Sequence, residues 1–214
     1  MSATSSSPKN VFDALRGFSR RHPAEERCDL CGAALPAEHR HLFQQSDRRV
    51  ICGCDPCAIL FSHRDGATKF LHIPRSGRKL ENFQITDAEW NALRLPIDLA
   101  FFGHNSSEGR IVAYYPSPAG STESLLSLEA WDDIVRQNPL LATMEPDVEA
   151  LLVNRTQDRR DYFIAPIDQC YRLTGVIRMH WRGFSGGERV WQEVERAFGE
   201  LERRSITAGG AGHA

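Results

Sequence analysis

Five of the six cysteines fall in one short stretch, as Cys28-Asp-Leu-Cys31-Gly, an interval of about twenty residues, and Cys52-Gly-Cys54-Asp-Pro-Cys57. Two Cys-x-x-Cys pairs carried on turns can bring four thiolates round one ion at tetrahedral spacing. The interval is slightly longer than the usual four-cysteine zinc template, a difference that a longer hairpin absorbs. We therefore expect one ion on Cys28, Cys31, Cys54 and Cys57. Zinc is the first choice, and iron or an iron–sulfur cluster is the alternative, because four thiolates suit both. Disulfides or buried free thiols are the competing reading, and five cysteines packed this closely fit it poorly. Cys52 lies two residues before Cys54, so on an extended strand both thiols project to one face. It is a candidate extra or alternate ligand, or a thiol just outside the site. His39 and His41 sit beside the first pair and could replace a cysteine; with four thiolates in place they read as surface histidines. Cys170 stands alone and reads as a buried apolar residue.

A second stretch, Gly183-Phe-Ser185-Gly-Gly187, has the form of a hydrolase nucleophile elbow. That chemistry needs an acid and a histidine later in the chain, and after Ser185 the only histidine is His213. The simpler expectation is a helix cap, with Ser185 and Glu188 completing a capping box. Arg178, His180 and Arg182 precede this glycine-rich helix start. Together with Ser185, Gly186 and Gly187 they form a weak candidate anion site. An enzyme built on that face would lack a convincing acid/base pair or nucleophile.

The elements that must position these groups follow from periodicity and punctuation. His41–Gln44 and Arg49–Cys52 flank Gln45-Ser-Asp-Arg48, which predicts a hairpin. Asp55-Pro56 starts a helix carrying Ala58, Ile59, Leu60 and Phe61, with Pro56 in the first turn where its missing N–H costs nothing. The order of knuckle, hairpin and second pair at a helix start resembles treble-clef and zinc-ribbon modules. Upstream, residues 1–24 read as a disordered tail and a short helix with Val11, Phe12, Leu15 and Phe18 on one side. Residues 64–83, with Arg64, Lys69, Arg75, Arg78 and Lys79, read as an irregular basic linker.

From Gln84 the pattern changes to an α+β domain spanning 84–204. Thr86-Asp-Ala-Glu89 is a capping box, with Ile85 and Trp90 placed as a hydrophobic staple. Ile97–Phe102 and Arg110–Tyr115 predict a hairpin round His104–Gly109, and Leu151–Asn154 and Tyr162–Ala165 predict further extended pieces. Ser127 can cap a helix carrying Leu128, Trp131, Ile134 and Val135 on one side and ended by Asn138-Pro139. Tyr171, Leu173, Gly175, Ile177, Met179 and Trp181 alternate with polar residues and predict a strand. A last helix carries Val190, Trp191, Val194, Ala197, Phe198 and Leu201, and 205–214 reads as a disordered tail. The expected fold class is thus α+β: a small metal module at 25–63, then a domain with a mainly antiparallel sheet.

The formal net charge is −2, which gives no electrostatic argument for nucleic acid. No apolar run approaches a membrane span, and the Ser-rich amino terminus lacks the regions of a secretory signal. The expected setting is a reducing cytoplasm, where clustered thiolates bind metal more often than they form disulfides.

The run Tyr171–Glu188, the stretch Tyr115-Pro-Ser-Pro-Ala-Gly120 and the Cys28–Cys57 module resemble an uncharacterised bacterial family encoded near uptake nickel–iron hydrogenase genes. The resemblance spans most of residues 25–204. It implies a protein partner among hydrogenase subunits or maturation factors, and it carries no activity and no ligand set. The chain accordingly reads as a metal-binding accessory protein, with a rubredoxin-like or iron–sulfur electron carrier as the alternative.

Overall fold

Alternation along the strands sets the architecture. In β5 (Leu99–Asn105), Leu99 and Phe101 point into one core while Ala100 and Phe102 point into another. β8 (Glu149–Asn154) and β9 (Asp161–Pro166) repeat the division, with Ala150, Leu152, Phe163 and Ala165 on the first side and Leu151, Val153, Tyr162 and Ile164 on the second. A strand buried on both faces reads as a near-continuous apolar run, as Ala150–Val153 do within the fully buried β8. The computed structural model describes residues 25–61, 69–117, 119–124, 128–183 and 186–208. The expected helix at Val11–Phe18 and the candidate caps Ser127 and Ser185 lie outside them.

In chain order the elements are β1 (Arg40–Gln44), β2 (Arg49–Gly53), α1 (Asp55–Phe61), β3 (Phe70–His72), β4 (Arg78–Leu80) and α2 (Asp87–Ala92). Then come β5, β6 (Arg110–Ser117), β7 (Gly120–Ser124), α3 (Leu128–Gln137), β8, β9, α4 (Ile167–His180), α5 (Glu188–Arg204) and β10 (Ile206–Ala208). The larger sheet has seven strands in the order β10-β4-β9-β8-β5-β6-β7. Its pairings are antiparallel except for β10 with β4. Helices α4 and α5 cover one face through Cys170, Leu173, Ile177, Val190, Val194, Phe198 and Leu201. Trp90 and Leu93 at α2, with Trp131 and Ile134 of α3, cover the other. The chain is therefore α+β with a mainly antiparallel sheet, as its sequence implies.

The expected strand at 171–181 is instead the body of α4. Its buried positions, Cys170, Leu173, Thr174 and Ile177, recur at helical spacing, while Met179 is 63% exposed. The apparent alternation hid a period that also fits a helix. Thr174, a residue of modest helix propensity, is accommodated by donating its hydroxyl to the Cys170 carbonyl at 3.1 Å.

Two further stretches are more ordered than expected. The basic connection supplies β3, which pairs with β1, and β4, which sits inside the large sheet between β10 and β9. Residues 206–208, expected in a disordered tail, form β10 at the sheet edge. Strands of three residues carry almost no periodicity, and the partners of β4 lie far along the chain.

The hairpin β1–β2 is seated on the main domain by its own alternation. Leu42 turns into a small core with Ile51 and Ala58, and Phe43 turns into the main core beside Ile73. At the hairpin tip Arg48 donates to Asn105 Oδ1 at 2.7 Å and to Asp147 Oδ1 at 3.0 Å. At the other end His41 Nδ1 lies 2.7 Å from Asp168 Oδ2 on α4.

Candidate metal centre

The first cysteine pair is shaped by a short backbone turn. Cys28 donates its N–H to Ala33 O at 2.8 Å, and Gly32 donates back to Cys28 O at 2.8 Å. Gly32 holds φ +75°, the left-handed conformation that glycine adopts without steric cost. The second pair sits where β2 runs into α1, so Cys57 lies in the helix's first turn and Cys54 immediately precedes it. Asp29 clasps the two halves: its N–H donates to Cys52 O at 2.9 Å, and its carboxylate accepts from Cys52 N–H at 2.6 Å.

This framework brings Cys28, Cys31, Cys54 and Cys57 together, with their sulfurs all within 4.8 Å of one another. Cys31 Sγ and Cys54 Sγ are 3.7 Å apart. A zinc ion with Zn–S bonds of about 2.3 Å requires sulfur–sulfur edges of about 3.8 Å in a tetrahedron. The sulfurs are too far apart for a disulfide, and all six cysteines are free. The donor set therefore fits a thiophilic ion, zinc and iron alike.

The electrostatics point the same way. Burial raises the Cys28 thiol, but the amide N–H groups of Cys54, Leu30 and Cys31 aim at its sulfur and bring its pKa down to about 6. Cys57 moves oppositely: its hydrogen bond with the Cys54 thiol, then burial, push it up to about 12. The fold thus stabilises one thiolate by itself, and a fully ionised quartet needs a cation to offset the mutual repulsion. Cys28 and Cys57 are buried, whereas Cys31 is exposed.

Cys52 is not among these four sulfurs. It groups with His39 and His41, one donor atom from each lying within 4.8 Å of the others. Cys170 is fully buried on α4, and burial drives its thiol pKa upward. It is core, as expected.

Of the expected anion-site residues, Ser185 lies outside the described residues, and the others sit in a different setting from the expected strand. Arg178 and His180 lie in the last turn of α4, not on a strand, where positive charge complements the helix dipole. Arg182 is occupied with carbonyls, donating to Trp181 O at 2.8 Å and Met179 O at 3.4 Å. The residue capping α5 is Gly187, at φ +78°, with no side-chain cap. Gly186 is needed for packing, because a Cβ there would meet Val190 Cγ1 at 2.7 Å at a backbone φ of +83°.

Sequence reasoning did not reach Asp29, Asp147 or Asp168, whose partners lie across the fold.

Among the described residues no helix is long and apolar enough to cross a membrane. No curated protein and no solved structure matches the chain. A family model does match, over residues 27–205, a span that takes in both cysteine pairs, the large sheet's central strands and both long helices. The chain belongs to DUF5947, a family of unknown function.

Proposed function

We propose that this protein is a non-catalytic, metal-binding accessory protein. Cys28, Cys31, Cys54 and Cys57 hold one zinc ion that staples the amino-terminal module, and the module docks a protein partner. The observation that carries this reading is the sulfur quartet, with its 3.7 Å edge between Cys31 and Cys54 close to the tetrahedral value. A structural role is supported by the small core beneath it, which among the described residues comprises Leu42, Ile51 and Ala58 with Leu30 and Phe70 against them. So little apolar burial needs a metal to be ordered. The test is metal analysis of the full chain, alone and with each ligand cysteine changed to serine.

A docking role is supported by α1, where Ile59 is 64% exposed, Leu60 62% and Phe61 43%. Three exposed large apolar side chains immediately after a ligand cysteine suit a protein surface. The resemblance to a hydrogenase-linked family suggests hydrogenase subunits or maturation factors as the partner. If so, Leu60→Asp abolishes co-purification with hydrogenase components while leaving the metal content unchanged. Retained co-purification removes α1 from the interface.

The second reading is an electron carrier with iron in the same site. It is favoured by the amide N–H groups directed at the Cys28 sulfur and by the exposure of Cys31, which together would tune a thiolate-bound iron and give it a short path to the surface. A coloured, oxygen-sensitive protein would move this reading to first place.

A further inference from the structure

His41 lies on β1 and His39 just before the strand, and their rings meet edge to face with centroids 4.9 Å apart. Cys52 is the Cα partner of His41 across the β1–β2 ladder, which places its side chain on the same face as His41. One nitrogen of each imidazole and the Cys52 sulfur lie within 4.8 Å of one another. The convergence follows from strand register, independently of the four-cysteine site.

The hydrogen bonds prepare both rings as ligands. His39 Nδ1 lies 3.0 Å from Pro36 O, an acceptor that can only receive a proton, so Nδ1 carries the hydrogen and Nε2 carries the lone pair. The His39 side chain is only 6% exposed, and its Nε2 is buried with no hydrogen-bond partner. A buried acceptor left unpaired is destabilising, and coordination to a cation removes that cost. His41 Nδ1 is committed in the same way to Asp168 Oδ2 at 2.7 Å. A carboxylate behind an imidazole is the arrangement that fixes the tautomer and ring orientation of metal-bound histidines.

We propose that His39, His41 and Cys52 form a second transition-metal site, distinct from the four-cysteine quartet, with Asp168 as the positioning residue for His41. Two imidazoles and a thiolate select zinc and its late first-row neighbours over magnesium or calcium. Three protein ligands leave one coordination position for water or a small ligand. His39, His41 and Asp168 also line a cleft of about 260 Å³ that includes Arg75, Arg172 and Arg204. Glu26 and Glu38 line the same cleft, and Arg75, Arg172 and Arg204 are paired with Asp55, Glu200 and Glu38, so water is the expected fourth ligand. Cys52 is joined by its backbone to Asp29 of the first knuckle, so the two sites share a rigid frame.

The proposal is tested by loading the full chain with one equivalent of zinc and titrating it with cobalt(II). Sulfur-to-cobalt charge-transfer intensity scales with the number of bound thiolates. The wild type should take up a second equivalent with one-thiolate intensity. Cys52→Ser should lose that band while keeping the first ion, and His39→Gln should abolish the second equivalent. Asp168→Asn, which alters no ligand, should weaken the second equivalent about 10–100-fold and leave the first untouched. A wild type that saturates at one equivalent overturns the second site, as does a His39→Gln chain that binds the second with undiminished affinity. Cobalt(II) added to metal-free wild type that gives the one-thiolate band and no four-thiolate band would sink the quartet reading and uphold this one.

Discussion

Asp147 shows how single residues join the metal module to the domain beneath it. Its side chain is 2% exposed, and it receives Arg48 Nη1 at 3.0 Å, Ser106 N–H at 3.1 Å and the Ser106 hydroxyl. Burial works against the Arg48 charge, but Asp147 overrides it and holds the guanidinium's pKa above its ordinary value. Arg48→Ala would strand a buried carboxylate. Because Arg48 itself is 31% exposed, the cost should fall below that of a fully buried pair, about 2–3 kcal/mol. Urea denaturation checks this, and an unchanged midpoint would mean that water replaces the guanidinium without loss. The sequence offers Arg48 only as a turn residue, since its partners Asn105 and Asp147 are 57 and 99 positions away.

At the scale of elements, what could be read in advance divides by whether the determinant is local. The capping box is local, and it is present in full: Thr86 accepts from Glu89 N–H, and the Glu89 carboxylate accepts from Thr86 N–H at 2.7 Å. That bond, with Gln137 and the Thr86 hydroxyl, holds the Glu89 pKa below its ordinary 4.5. A depressed carboxylate contributes stability above its unfolded pKa and loses it as pH falls through the folded value. Glu89→Gln should therefore flatten the stability profile below about pH 4.5, and an identical acid limb in wild type and variant would contradict the box. The hairpin round residues 106–109 and the helix after Asp55-Pro56 were legible for the same reason. Helix α4 was not, because its polar and apolar residues satisfy periods of two and 3.6 together, and only the packing partners choose. The choice is testable. Ile177→Ala removes a side chain that is 1% exposed and should cost about 2–5 kcal/mol. Met179→Ala, at 63% exposure, should be nearly neutral in thermal unfolding. Equal losses at both positions would restore the strand, where 177 and 179 share a face.

In the whole molecule, a metal module and a sheet domain are welded by one core that holds Phe43 and Ile73 together with Phe163, Ile177 and Phe198. Loss of metal should loosen the module and withdraw Phe43 from that core, so a chelator should lower the cooperativity of global unfolding as well as disordering the hairpin. The weld was illegible in sequence because β3, β4 and β10 are three-residue strands whose positions are set by distant partners. The cysteine quartet was legible because two Cys-x-x-Cys turns and a hairpin specify it locally, and the central claim rests there. Its most direct test is metal content and visible absorption of anaerobically purified chain across the serine series. The quartet ion should be present in the wild type and in Cys52→Ser, and Cys28→Ser, Cys31→Ser, Cys54→Ser and Cys57→Ser should each hold one equivalent fewer than the wild type. A chain that keeps its ion without Cys54 and loses it without Cys52 would contradict the assignment.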